Sequence, residues 1–168
     1  MKTYSNVLDA IDKLTEKINL ALLVFIMCLM FVTVILRYIF NYSLSWSEEV
    51  ARYGFIWMIF LSSGTGVRKT RDMHVAFDII LNLIPKGANP KVTMTINFFI
   101  LVFSLIFIPA STKLCLQVRN QVSSALPISM SWIYASAIIG GVLMFLYSLE
   151  NILTILSGKA PERSGVVA

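Results

Sequence analysis

Charge is scarce in this chain. Only 14% of its 168 residues are Asp, Glu, Lys or Arg, against 57% hydrophobic. A soluble domain carries about a quarter charged residues. The mean hydropathy of +0.78 leaves too little polar surface to face water on all sides. Histidine occurs once, so paired axial histidines for a haem cannot come from this chain. His74 and Asp78, one turn apart, fall short of a zinc or iron ligand set. The cysteines, Cys28 and Cys115, form no CxxC, which excludes a dithiol relay. There is no glycine-rich phosphate loop and no internal repeat. No cofactor, metal or catalytic residue is expected.

Long uncharged runs fill the gap. Ile18–Leu36, Tyr53–Val67, Val92–Thr112 and Asn120–Leu149 contain no Asp, Glu, Lys, Arg or His. A helix needs about 20 apolar residues to cross the hydrocarbon. Three runs meet this outright, and the second must borrow Val50, Ala51 and the stem of Arg52. The runs are continuous, which excludes an alternating membrane barrel. The reading is an all-α integral membrane protein, a single four-helix domain over 1–168. Its transmembrane helices are placed at about 18–40, 49–67, 92–114 and 130–156. The longest piece between spans, Arg68–Lys91, is too short for a soluble catalytic domain. The first run is too long for a signal peptide's apolar core and reads as a retained anchor.

Basic residues orient the spans. Lys2, Lys13, Lys17, Arg68, Lys69, Arg71, Lys86, Lys91, Lys159 and Arg163 fall on one side, and Arg37, Arg52, Lys113 and Arg119 on the other. The positive-inside rule then puts both termini in the cytoplasm. The net charge of +5 follows from this bias and calls for no nucleic acid.

Two amphipathic interfacial helices are expected on the cytoplasmic side. In the first, Val7, Leu8, Ile11, Leu14 and Ile18 share a face opposite Asp9, Asp12, Lys13 and Glu16, with Asn6 as N-cap. The second, about 73–84, sets Met73, Phe77, Ile80, Leu81 and Ile84 against a polar stripe of His74, Asp78 and Asn82. Arg68, Lys69 and Arg71 precede it, where anionic headgroups of membrane lipid attract them. Pro109 is expected to kink span three, which also carries Asn97. Ser136, Ala137, Gly140 and Gly141 in span four, and Ser62 with Gly66 in span two, mark close helix packing.

The span interiors lack the deep ionisable groups of transport sites. The exceptions lie near the span ends: Arg37, Glu48, Glu49, Arg52 and Glu150, the first four gathered about the first loop beside Trp46. Ser47 is a candidate N-cap, and Glu48 with Arg52 an i, i+4 pair. Capping needs fewer charges than this, so a polar clamp onto a partner subunit is the rival reading.

Here the sequence resembles the small membrane subunit of TRAP transporters, the tripartite ATP-independent periplasmic family. The resemblance rests on Arg37-Tyr38, Phe40-Asn41, Trp46-Ser47-Glu48-Glu49 and Arg52; on Gly66-Val67-Arg68 with His74-Val75 and Asp78; and on Leu126-Pro127-Ile128 with Trp132 and Tyr134. It covers roughly residues 18–156. The resemblance implies two partners: a large membrane subunit that binds substrate and sodium, and a soluble periplasmic substrate-binding protein. It implies that this subunit scaffolds the first and helps dock the second. It implies organic acids as cargo, of the sialic acid or C4-dicarboxylate type. The alternative is an accessory anchor of an unrelated bacterial membrane complex.

Overall fold

A computed structural model describes residues 2–69 and 89–157, with side chains from 6 to 67 and from 92 to 157. Four helices account for nearly all of it: α1 (Lys2–Ile39), α2 (Ser45–Lys69), α3 (Asn89–Gln117) and α4 (Ser131–Leu156).

The first is one unbroken helix of 38 residues. No Gly or Pro interrupts Lys2–Ile39, so the N-terminal amphipathic segment and the first span run on as a single rod of roughly 57 Å. Asn6 therefore lies inside α1 and is not its N-cap. The helix stops at Asn41, which takes a left-handed φ of 54°. Tyr42 N–H returns to the Leu36 carbonyl at 3.0 Å, closing the chain over the end of the helix.

Burial on α1 is confined to a narrow seam. Leu8, Thr15, Leu22, Leu29 and Leu36 form one row of covered residues, and Asp12, Asn19, Ile26 and Thr33 the other. Each row repeats every seven residues, the period of helices packed at a shallow angle. The seam lies on α2. Asn19 Nδ2 donates to Ser62 Oγ at 3.0 Å, and Ile26 covers Gly54. Arg37 faces Glu48 at 3.8 Å. These pairs make α1 and α2 antiparallel along the apolar part of α1.

The most deeply covered helix is α4, whose Ser136, Ala137, Gly140, Gly141, Tyr147, Ser148 and Asn151 are all buried. It packs on α2 and on α3, and α1 packs on α2, giving the order α1–α2–α4–α3. The glycine pair sets both contacts. A Cβ on Gly140 would meet the Phe60 carbonyl oxygen of α2 at 2.5 Å, and one on Gly141 would meet Ile108 and Phe107 of α3 at 3.0 and 3.1 Å. The rings of Phe60 and Phe107 approach to 6.0 Å over this junction. The expected small-residue packing of α4 is therefore present. On α2 the close approach belongs to Gly64, set against Leu143. Ser62 turns to α1, and a Cβ on Gly66 would meet nothing within 4 Å.

The protein is inside-out relative to a soluble bundle. The buried seam of α3 is Asn97, Ser104 and Ser111, while Phe98, Phe99, Phe103, Leu105 and Ile106 are exposed. The inward hydroxyls of α3 and α4 bond within the protein: Ser104 donates to the Ile100 carbonyl at 2.7 Å and Ser136 to that of Ile133 at 2.6 Å. A membrane explains the inversion, because lipid competes for apolar side chains and not for polar ones. Three helices, α1 from Asn6, α3 from Val92 and all of α4, are long and apolar enough to cross. Of the four expected spans, α2 does not reach that measure. It is a helix of 25 residues, but Glu48, Glu49 and Arg52 at one end and Ser62–Gly66 near the other lower its hydropathy. α3 continues through Pro109 as a single helix.

Candidate functional site

Two polar groupings stand at opposite ends of the bundle. The first is built on Glu49, in the opening turns of α2. The connection between α3 and α4 folds into a short hairpin with a bridge between Val122 and Ser129. Ser123 N–H donates to the Ile128 carbonyl at 3.0 Å and Met130 N–H to that of Gln121 at 2.9 Å. Ser129 Oγ donates to the Arg119 carbonyl at 2.7 Å. This hairpin lays its tip across the start of α2. Ser123 Oγ and Ser124 Oγ donate to the two carboxylate oxygens of Glu49. Ala125 N–H and the Tyr53 hydroxyl each donate to Glu49 Oε2 at 3.2 Å. The Tyr53 and Ser123 hydroxyls also lie 2.7 Å apart, so either can give its one proton to the other in place of Glu49. Glu49 sits one turn before the uncharged stretch Tyr53–Val67. Hydrogen bonds from Ser123 and Ser124, with smaller ones from Ala125 and Tyr53, hold its carboxyl well below the usual carboxylate range.

The neighbouring charges resolve differently from the expected pattern. Glu48 pairs with Arg37 across the Phe40–Leu44 turn, both side chains 62% exposed. Arg52 is exposed and makes no ion pair among the described residues. The i, i+4 geometry allowed Glu48 to meet Arg52, but Arg37 at the end of α1 takes the carboxylate instead. Ser47 is fully buried inside α2 and donates to the Leu44 carbonyl at 2.7 Å. It closes the first turn as a donor and does not cap it as an acceptor. Trp46 is partly exposed beside it.

The second grouping was only half visible in the sequence. Asn151 Nδ2 donates to the Val67 carbonyl at 3.1 Å and to Asn97 Oδ1 at 3.0 Å. Ser148 Oγ donates to the Asn97 carbonyl, and Asn97 Nδ2 to that of Thr93 at 2.8 Å. One knot thus ties α2, α3 and α4, with Asn97 only 1% exposed. Asn97 stood out as an amide within a span. Ser148 and Asn151 could have been found by their i, i+3 spacing on the Gly141 face of α4.

Arg68 and Lys69 end the backbone of α2, and their side chains lie outside the described residues, as do Arg71, His74, Asp78 and the expected helix at 73–84.

Neither grouping is an open cavity with converging chemistry. Both join helices of the same chain. Together with the apolar exterior they define the class: a multi-pass helical membrane protein whose buried polar side chains, among the described residues, serve its own packing. The chain belongs to the small permease subunits of TRAP transporters. A family model described as "Tripartite ATP-independent periplasmic transporters, DctQ component" matches residues 26–158.

A Haemophilus influenzae chain assigned as the small permease protein of a TRAP transporter is 29% identical over 135 residues, 80% of this chain and 81% of that one. The C4-dicarboxylate TRAP transporter small permease protein DctQ of Vibrio cholerae is 28% identical over 105 residues, 60% of this chain and 44% of that one. The sialic acid TRAP transporter permease protein SiaT of H. influenzae is 25% identical over 151 residues, which make up 89% of this chain but 24% of SiaT. Membership makes this chain a transporter subunit of the bacterial inner membrane, and it displaces the alternative of an anchor for an unrelated complex.

Proposed function

We propose that this chain is the non-transporting scaffold of a sodium-coupled TRAP system for organic acids. In this reading four spans cross with both termini cytoplasmic, and the chain holds the large transport subunit and helps dock the soluble binding protein. The observation that carries it is the direction of the side chains. Asn97, Ser104 and Ser136 turn inward and bond to their own helices, and Ser148 and Asn151 bond across to neighbouring helices of the same chain, leaving no polar path at mid-depth among the described residues. Secondary transporters place substrate sites at that depth. The outward faces of α1 and α3 are apolar over most of their length, which suits lateral packing in the membrane.

The SiaT alignment supports lasting association with a larger permease, since a segment like this chain forms about a quarter of that one polypeptide. The names of SiaT and DctQ support a sialic acid or a C4-dicarboxylate as cargo. The test is reconstitution in liposomes under an inward sodium gradient with the binding protein outside. Uptake is expected only when this chain and the large subunit are both present. Uptake by this chain alone, or full uptake by the large subunit alone, overturns the reading.

A further inference from the structure

The outer end of the bundle engages its negative charge and leaves part of its positive charge unpaired. Its two carboxylates are both engaged: Glu48 with Arg37, and Glu49 inside the ring of Ser123, Ser124, Ala125 and Tyr53. Arg52 and Arg119 stay exposed and make no ion pair among the described residues. Arg119 begins the hairpin, whose turn is inverted for a loop in water. Ser123 is 7% exposed, whereas Val122 on the opposite face of the hairpin is 63% exposed. Ala125 and Pro127 at the tip are exposed as well.

We infer that this clasped hairpin, with Arg52 and Arg119 beside it, is the landing surface for the soluble substrate-binding protein, which meets it through an acidic contact surface. The inference rests on the docking role and the orientation proposed above. Charge complementarity selects the sign of the partner. Position selects a soluble protein over lipid, because the tip folds over the start of α2, across the end of the bundle and not along its flank. The hairpin is suited to the task. Its bonds at Ser123, Ile128, Met130 and Ser129 fix its shape before any partner arrives. Glu49 acts here as a positioning residue: its carboxylate holds the tip down through the donors of Ser123, Ser124 and Ala125.

The experiment uses the complex with the large subunit in nanodiscs and the soluble binding protein of the same system, with association followed at low and high salt. Arg52→Glu combined with Arg119→Glu is expected to slow association about tenfold at low salt and to abolish the salt dependence. Ser123→Ala combined with Ser124→Ala frees the Glu49 carboxylate and the hairpin tip, and is expected to weaken binding while the complex is recovered in normal yield. Lys113→Gln, an exposed cation on α3 outside the surface, serves as the control and is expected to bind like the unaltered protein. Unchanged association in both double variants overturns the inference. So does faster association on charge reversal, or an effect confined to bound anionic lipid. Failure of the unaltered complex to bind the soluble protein would instead overturn the docking role beneath it.

Discussion

Asn151 on α4 donates one amide nitrogen to two helices at once, to the Val67 carbonyl of α2 and to Asn97 Oδ1 of α3. Val67 lies near the end of α2, where the regular ladder no longer supplies partners for carbonyls. A side chain from another helix therefore takes the place that water would fill in a soluble protein. Asn151→Leu removes this donor and leaves both acceptors buried. The expected loss is about 1–2 kcal/mol, the range for an unmet polar group moderated by the small net value of such bonds in membranes. Thermal unfolding in nanodiscs measures it. Ser148→Ala, which removes a single bond to the Asn97 carbonyl, is expected to cost less. Equal stability for both variants would show that the knot does not hold the helices.

Gly140 and Gly66 should respond oppositely to the same methyl group. At Gly140 the added carbon meets a backbone oxygen at 2.5 Å, and backbone cannot swing aside as a side chain can. Gly140→Ala is expected to push α2 from α4 at about 1–3 kcal/mol, the usual range for overpacking. At Gly66 nothing lies within 4 Å of the new carbon. Gly66→Ala is expected to be neutral or to stabilise by up to about 1 kcal/mol through the lower entropy of the unfolded chain. Melting curves of the two variants check the contrast.

Much of this was legible beforehand. Charge-free runs located the helices, because lipid leaves so few choices to a sequence of this composition. Gly140 and Gly141 announced a close contact, since small residues one turn or less apart have little other use in a span. Partner choice was not legible. Period alone could not say that Gly64 and not Gly66 meets α4, because that depends on how α2 is rotated between two neighbours. Nor could it say that Glu48 prefers Arg37. Helical spacing offers Arg52 one turn away, but the Asn41 turn brings the end of α1 closer to the carboxylate. The Glu49 ring was beyond reach, because all its donors but Tyr53 are more than 70 residues distant.

Glu48 and Glu49 are adjacent in sequence but differ in how much depends on them. Glu48→Gln weakens one exposed ion pair at 3.8 Å, and its expected cost is under about 1 kcal/mol. Glu49→Ala leaves Ser123, Ser124 and the Ala125 N–H without their common acceptor. Its signature is local: faster proteolysis and faster amide exchange across 118–130, with the α4 core unaffected. Limited proteolysis of the two variants side by side separates them. Equal protection would reduce Glu49 to an ordinary surface charge.

The crossing of α2 is the step on which the orientation turns. Its hydropathy alone does not decide it, and two arrangements compete. If α2 crosses, the α1–α2 turn and the α3–α4 hairpin lie on one side of the membrane. If it does not, α3 starts on the outer side and carries the hairpin inward, opposite to the start of α2. Only the first arrangement lets Glu49 reach Ser123 and Ser124, as it does. The same arrangement matches the antiparallel course of α2 along α1, from Glu48 at Arg37 to Ser62 at Asn19. It also puts ten basic residues inside and four outside. Reporter fusions after Ser45, Lys86, Ser124 and Ala168 are expected to read outside, inside, outside, inside. Lys86 decides between the arrangements. An outside reading there, with Ser124 inside, would mean that α2 returns to the surface it left and that the Glu49 contact does not form in the membrane.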